Sequence, residues 1–245
     1  MQPSYGKPKQ SIRESIYKMM RDKILTMELE PGRKLSEKEW SQKLEVSRTP
    51  VREAFLKLSE EGLLDIVPQS GSVVARIDLA IVEEGRFVRE QLETAIVREA
   101  CHSLPPEFAR KIEENLLLQD FNHVEDPRTM FTLDEAFHQL LFLASKKGRS
   151  WEMSKQMNTQ FERIRMLRLR SESLDWGNLV EDHKEIFRLI LEKDEIAAAE
   201  RMKQHLRLVD FEKGAIMSEY PNYFITHIEG AEGKSEYDSK VVWPS

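Results

Sequence analysis

The stretch VSRTPVREAFL, Val46 to Leu56, decides how the first third of the chain is read. Proline is tolerated in a helix in its first turn, where the backbone N–H lacks an intrahelical partner, and Ser47 just upstream is a good N-cap. Pro50 therefore marks the start of a helix rather than a break in one. Arg48 and Arg52, four residues apart, share a face at that N-terminal end. The same end carries unpaired N–H groups and the positive pole of the helix dipole, which favour an anion such as phosphate. Spacing alone leaves two readings open: a surface that meets a polyanion, or an ordinary solvated helix face.

Working outward, Ser11 to Glu14 and Ser36 to Glu39 are capping boxes. Ile12, Ile16, Met19, Met20, Ile24 and Leu25 recur at helical spacing and predict a first helix to about Met27, stopped at Pro31-Gly32. A short second helix runs from Ser36 through Leu44, and the third from Ser47 to Gly62. Two strand-like runs, Leu63 to Val67 and Ser72 to Ile77, then flank the turn residues Pro68 to Gly71 and predict a β-hairpin. From Asp78 onward the pattern is long and amphipathic, broken at Leu104 to Pro106, Asp126-Pro127, Lys147-Gly148, Asp175 to Asn178 and Lys193-Asp194. These breaks predict six helices and no strand. The polar residues 1–10 read as a loose arm, and residues 221–245, with weak periodicity, as a partly disordered tail. The expected fold is mainly α: a winged helix-turn-helix over 1–77, then an all-α antiparallel bundle over 78–220.

Charge supports that division. The chain of 245 residues carries a net −6, but residues 1–77 hold +3 and the remainder −9, as expected when only the first domain touches a phosphate backbone. A hydrophobic content of 40% is adequate for packed cores. No leader-like apolar run follows the opening charges and no stretch is apolar enough to span a bilayer, so neither secretion nor a membrane is expected. Cys101 is the single cysteine, which excludes an intrachain disulfide and suits the cytoplasm. No glycine-rich phosphate loop of either common pattern occurs.

Helix, helix, tight turn at Glu45-Val46, helix and hairpin follow in the order of a winged helix-turn-helix, whose third helix enters the major groove. Arg48 and Arg52 can reach guanine edges or grip phosphates, Thr49 can bond either, and Ser47 faces the backbone. Lys38 can clamp a phosphate, and the tip Gln69-Ser70-Gly71 can probe a minor groove. The run PGRKLSEKEWSQKLEVSRTPVREAFLKLSEEGLLDIVPQSGSVV resembles the winged domain of the GntR superfamily of bacterial transcriptional regulators. The resemblance covers residues 11–77 and implies that Arg48 and Arg52 read operator bases, with Lys38, Ser47, Thr49 and Gly71 in support. Trp40 and Phe55 depart from the commonest residues, and both fall on core faces.

Among the six histidines, His138 lies four residues after Asp134, so the two share a helix face. Such a pair is more often a surface or core hydrogen bond than half of a metal site. His183 and His205 border apolar stripes of two further helices, and histidines so placed can converge inside a bundle. Three imidazoles and a carboxylate suit Zn²⁺, Ni²⁺ or Mn²⁺, and in an octahedral shell they leave room for a bidentate anion. Cys101 and His102 point about 100° apart on one helix and read as structural.

The acidic helical part is similar to the FCD effector domain of FadR-like GntR regulators, over about Asp78 to Tyr220. The resemblance implies that Asp134, His138, His183 and His205 bind the metal, and that Arg89, within an R-x-x-L-E pattern, faces the effector. An arginine fork matches a carboxylate. The plainer alternative is an intrahelical pair of Arg89 with Glu93. Arg163 and Arg165 are weaker candidates for the same role, or simply solvated. The chain thus reads as a cytoplasmic homodimeric regulator whose operator binding, most simply repression, responds to a small carboxylate at a metal. Two rivals remain at this point: a metal-dependent enzyme joined to a DNA-binding domain, and a regulator in which the metal is structural or is itself the signal.

Overall fold

The computed structural model describes residues 11–67, 71–122, 126–174 and 176–225. The N-terminal arm, Gln69 and Ser70 of the hairpin tip, His123, His227 and most of the tail lie outside the described residues. Helix α1 (Ile12–Leu25) opens where Ser11 Oγ accepts from the Glu14 N–H at 3.2 Å, and α2 (Glu37–Lys43) opens on the matching bond from Glu39 to Ser36. Glu45, at φ +55°, makes the tight turn into α3 (Arg48–Glu60), and Gly62 at φ +66° ends that helix's exit. Met20, Ile24, Trp40, Val51, Phe55, Leu58, Leu63 and Val74 form one core, so Trp40 and Phe55 do pack inward.

Strands β2 (Leu64–Val67) and β3 (Gly71–Val74) form the expected hairpin, and β1 (Lys34–Leu35) adds a third strand in the antiparallel order β1-β3-β2. Sequence reasoning does not find β1. It is two residues long and owes its strand character entirely to Val73 and Ser72 across the ladder.

Eight α-helices, rather than six, follow among the described residues: α4 (Leu79–His102), α5 (Pro106–Asn122), α6 (Pro127–Ala144), α7 (Gly148–Met157), α8 (Thr159–Arg170), α9 (Gly177–Leu191), α10 (Glu195–Leu206) and α11 (Leu208–Glu219). The two unforeseen breaks fall at Asn158 and Arg207, where neither proline nor glycine punctuates the chain. Packing makes them. At Gly85 of α4 a Cβ would come within 3.2 Å of the Met157 carbonyl oxygen, so α4 lies hard against the α7–α8 joint. Arg207 donates to both oxygens of Glu90, at 2.7 and 2.8 Å, and pins the α10–α11 corner to α4.

The tail also starts later than expected. Pro221–Tyr223 form a 3₁₀ turn, Ile77 N–H donates to Tyr223 O at 2.8 Å, and Ile225 N–H donates to Ile77 O at 2.9 Å. Phe224 is buried, so residues 221–225 clamp the junction between the two domains.

Helix α8 is buried from Thr159 through Leu169 despite its charge. Toward the winged domain, Thr159, Gln160 and Arg163 donate to the backbone oxygens of Glu61, Gly62 and Ala75 at 3.4, 3.0 and 2.6 Å. Arg170 does the same to Met27 at 3.1 Å. Arg163 is thus not solvated but a domain anchor, and burial lowers its pKa to about 9.

Candidate metal centre and nucleic-acid interface

Val51, Ala54, Phe55 and Leu58 turn one side of α3 into the core, which leaves Arg48, Thr49 and Arg52 exposed on the other. Lys38 is exposed on α2, and none of these three basic residues takes part in an ion pair among the described residues. Unpaired cations at a helix N-terminus are available to phosphates and base edges. Ser47 holds the N-cap position, yet its hydroxyl makes no capping bond, which leaves it available to an outside partner. Gly71 sits at φ +94° with the Leu35 carbonyl oxygen 3.4 Å from where a Cβ would be, so its place in the hairpin depends on backbone shape. Arg52→Ala is expected to weaken specific operator binding by about 1 to 3 kcal/mol with the fold intact. Lys38→Ala should weaken all sequences alike and reduce the salt slope by about one. Gel-shift titrations at several salt concentrations read both, and an Arg52 variant with parental affinity at fixed salt would remove α3 from the interface.

In the helical domain α6 supplies Asp134 and His138, α9 His183 and α10 His205, all four buried, with one ligand atom of each within 4.8 Å of the others. The structure therefore joins all four residues selected from the sequence. Nε2 of His183 lies 3.1 Å from Nε2 of His205, which lies 3.3 Å from Nε2 of His138. Asp134 Oδ1 is 3.4 Å from His183 Nε2 and has no hydrogen-bond donor.

Each imidazole faces an oxygen on its other side. His183 Nδ1 donates to Gln119 Oε1 at 2.7 Å; His138 Nδ1 lies 2.5 Å from Glu93 Oε2, and His205 Nδ1 lies 3.4 Å from Asp182 Oδ2. For His183 the Gln119 oxygen places the proton on Nδ1 and leaves Nε2 free to act as a ligand, as in metal-binding histidines whose other nitrogen is held by an oxygen. Burial holds all three histidines in the neutral form: desolvation lowers each pKa, and the neighbouring imidazoles push His183 further down. Burial opposes ionisation of Glu93, but Arg89 and His138 outweigh it and its pKa is lowered, so the carboxylate behind His138 is charged. Three imidazole Nε2 atoms and a carboxylate oxygen thus converge. The donor set fits a divalent cation.

Glu93, Gln119 and Asp182 stand behind the imidazoles, and sequence reasoning did not assign them there. Glu93 is the last residue of the R-x-x-L-E pattern and Asp182 adjoins His183, so two of the three carried a local signal; Gln119 carried none.

Arg89 is buried and pairs with Glu93, as the plainer sequence reading allows, and it also donates to Glu135 Oε1 at 3.2 Å. It therefore stands behind the histidines. Arg165, the weaker candidate, instead lines the cavity together with Arg168: it pairs with Asp134, and its Nη1 donates to Glu135 at 2.6 Å. The cavity beside the cluster is small, about 20 Å³, roughly the space of one water. Asp134, Arg165, Arg168 and His205 line it together with Phe161, Leu169, Leu179, Leu206, Leu208 and Val209.

Comparison with known proteins gives two family matches: the family described as "Bacterial regulatory proteins, gntR family" over residues 12–74, and the FCD domain over residues 86–208. The HTH-type transcriptional repressor RspR of Escherichia coli is 34% identical over 225 residues, spanning 89% of this chain and 95% of its own. An HTH-type regulator from an unstable DNA locus of Streptomyces ambofaciens is 36% identical over 214 residues, spanning 87% and 90%. Among solved structures, E. coli McbR/YncC superposes with a TM-score of 0.71 at 19% identity, over 86% of this chain and 99% of that one. A regulator from Rhodococcus gives 0.68 at 24% identity, over 85% and 98%. No helix among the described residues is long and apolar enough to cross a membrane.

Proposed function

This chain belongs to the gntR family of bacterial regulatory proteins and carries an FCD domain, and from that premise we propose that it is a repressor whose hold on its operator is governed by a small carboxylate bound beside a metal ion. Its relatives are transcriptional regulators rather than enzymes, which removes the enzymatic rival. The observation that carries the reading is the convergence of three imidazoles and the Asp134 carboxylate next to a cavity whose lining includes Arg165 and Arg168. A divalent ion, Zn²⁺, Ni²⁺ or Mn²⁺ by donor type, supplies positive charge and open coordination positions there. Asp134, His138, His183 and His205 hold it, while Glu93, Gln119 and Asp182 keep the imidazoles aimed. Arg165, released from Asp134, receives the carboxylate, and Arg89 steadies Glu93 and Glu135.

Winged domains of this kind read a two-fold operator as a cytoplasmic homodimer, one half-site per copy. Response then requires the ligand to prefer one arrangement of the winged domains over another, since equal affinity shifts nothing. Repression is the sign favoured here because the relative named above is a repressor. The test is an operator complex titrated with a panel of small carboxylic acids, once with metal-loaded protein and once after chelation. Release by at least one acid, lost on chelation, is the expected result. Operator binding that follows metal concentration and ignores every acid would make the metal itself the signal.

A further inference from the structure

A chain of alternating charges runs from the metal-capable cluster to the winged domain. Asp134 turns Oδ1 toward His183 Nε2 and pairs through Oδ2 with Arg165, whose Nη1 donates to Glu135 Oε1 at 2.6 Å. The other oxygen of Glu135 pairs with Lys155, and Lys155 pairs in turn with Glu162 Oε1. Glu162 Oε2 lies 3.9 Å from Nη2 of Arg21 on α1, and Arg21 Nε donates to Glu61 Oε2 at 3.0 Å. Glu61 is the C-cap of α3, the helix whose N-terminal half carries Arg48 and Arg52. The ion pairs thus begin on a metal-capable carboxylate and end on the reading helix.

We infer that this chain of ion pairs, through Lys155, Glu162 and Arg21, couples occupancy of the metal centre to the reading helix. This rests on the reading of the four-residue cluster as a metal site and is independent of any acid bound beside the ion. An ion at Asp134 Oδ1 draws on the same carboxylate that holds Arg165, so Arg165 turns more of its attraction to Glu135. Glu135 then holds Lys155 less firmly, Lys155 leans toward Glu162, and Glu162 in turn pulls less on Arg21. Coupling needs an element with two arrangements that both sites bias, not proximity alone. Lys155 is that element: it is shared between two carboxylates, and with both of them it lines an open cleft of about 370 Å³ between α1 and the helices α6 to α8. A side chain beside open space exchanges partners without moving a close-packed wall. Burial raises the pKa of Glu162 while Lys155 and Arg21 oppose the rise, so its ionised form leans on the cations at either side.

Two affinities of the full-length protein test the coupling: that for operator DNA, measured metal-free and with Zn²⁺ bound, and that for Zn²⁺, measured with and without operator. Linkage requires the two ratios to agree, and a factor of at least about fivefold is expected in the parent. Arg21→Met and Glu162→Gln cut the chain on either side of the domain boundary, and neither residue is a proposed ligand or part of α3. Each variant should keep about one ion per chain and still bind operator, yet show a ratio below about twofold in both measurements. Arg21→Lys, which keeps the charge, should recover part of the parental factor. A parental ratio in either Arg21→Met or Glu162→Gln would overturn the chain and leave the main-chain contacts of α8 as the route. Equal operator affinity of the metal-free and Zn²⁺-loaded parent would overturn the coupling itself, with the metal reading intact. A parent that takes up no divalent ion would remove the metal reading, and this inference with it.

Discussion

Replacing His183 by alanine is expected to empty the metal centre and to cost more stability than any other single change in the helical domain. The ring is fully buried, stacks on Phe137 with centroids 4.2 Å apart, and reaches both Gln119 and the shared Nε2 meeting point. A bound ion present at about a thousand times its dissociation constant adds about 4 kcal/mol to the folded state, all of which the variant forfeits. The Gln119 oxygen left without its donor costs about 1 to 3 kcal/mol more. Melting curves with and without chelator separate the two contributions. Chelation should lower the melting temperature of the parent and leave that of the variant unmoved, with about one ion per chain in the parent, the stoichiometry of a single four-ligand site. Equal metal content in the parent and in a His183→Ala, His205→Ala double variant would place the ion somewhere else.

Arg165→Ala is the second large effect, this time on response. If Arg165 trades Asp134 for the effector carboxylate, the variant should retain metal and operator binding yet need far more acid to release DNA. Losing one side of a buried charge pair costs about 2 to 5 kcal/mol, which is roughly 30-fold to several thousand-fold in the release midpoint. Arg89→Ala should behave differently. Arg89 holds Glu93, which lies behind His138, so its loss should weaken metal binding by about 10- to 100-fold, as changes to a metal's outer shell do. Metal affinity and release midpoints measured on both variants decide between them. A normal release midpoint in Arg165→Ala, combined with a shifted one in metal-saturated Arg89→Ala, would exchange the two roles.

Much of this arrangement could be read before any coordinates. Capping serines, Pro50 in a first turn and the proline and glycine breaks are local signals, and each predicted break falls between helices or at a helix start. Of the four metal-capable residues, Asp134 and His138 were legible as a pair on one helix face and His183 and His205 as neighbours of apolar stripes, and the resemblance to the FCD domain joined them into one set. What escaped has a common cause. The breaks at Asn158 and Arg207, strand β1 and the aim of Gln119 depend on contacts between distant segments, and nothing in their own neighbourhoods records them. Helix α8 misleads most: TQFERIRMLRLR is polar enough to look solvated, yet Glu162, Arg163, Arg165 and Arg168 are buried against both domains and each other's partners. Charge in a buried helix is silent to periodicity and becomes interpretable only once its partners are known.

The joint that α8 makes with the winged domain has an implication for exchange of parts. Its hydrogen bonds from Thr159, Gln160, Arg163 and Arg170 all end on main-chain oxygens, those of Glu61, Gly62, Ala75 and Met27, and Arg76 returns one to the Asn222 oxygen. Main-chain oxygens are present whatever residue stands there. The reading head can therefore drift in sequence, and so acquire a new DNA target, without losing its seat on the sensor, provided its backbone keeps the same path. A chimera that grafts a foreign winged domain at Ile77 should inherit these main-chain contacts ready-made, with adjustment needed at side-chain contacts such as Arg128 with Asp22 and Glu28, Arg21 with Glu162, Tyr223 with Glu30, and the packing of Met27.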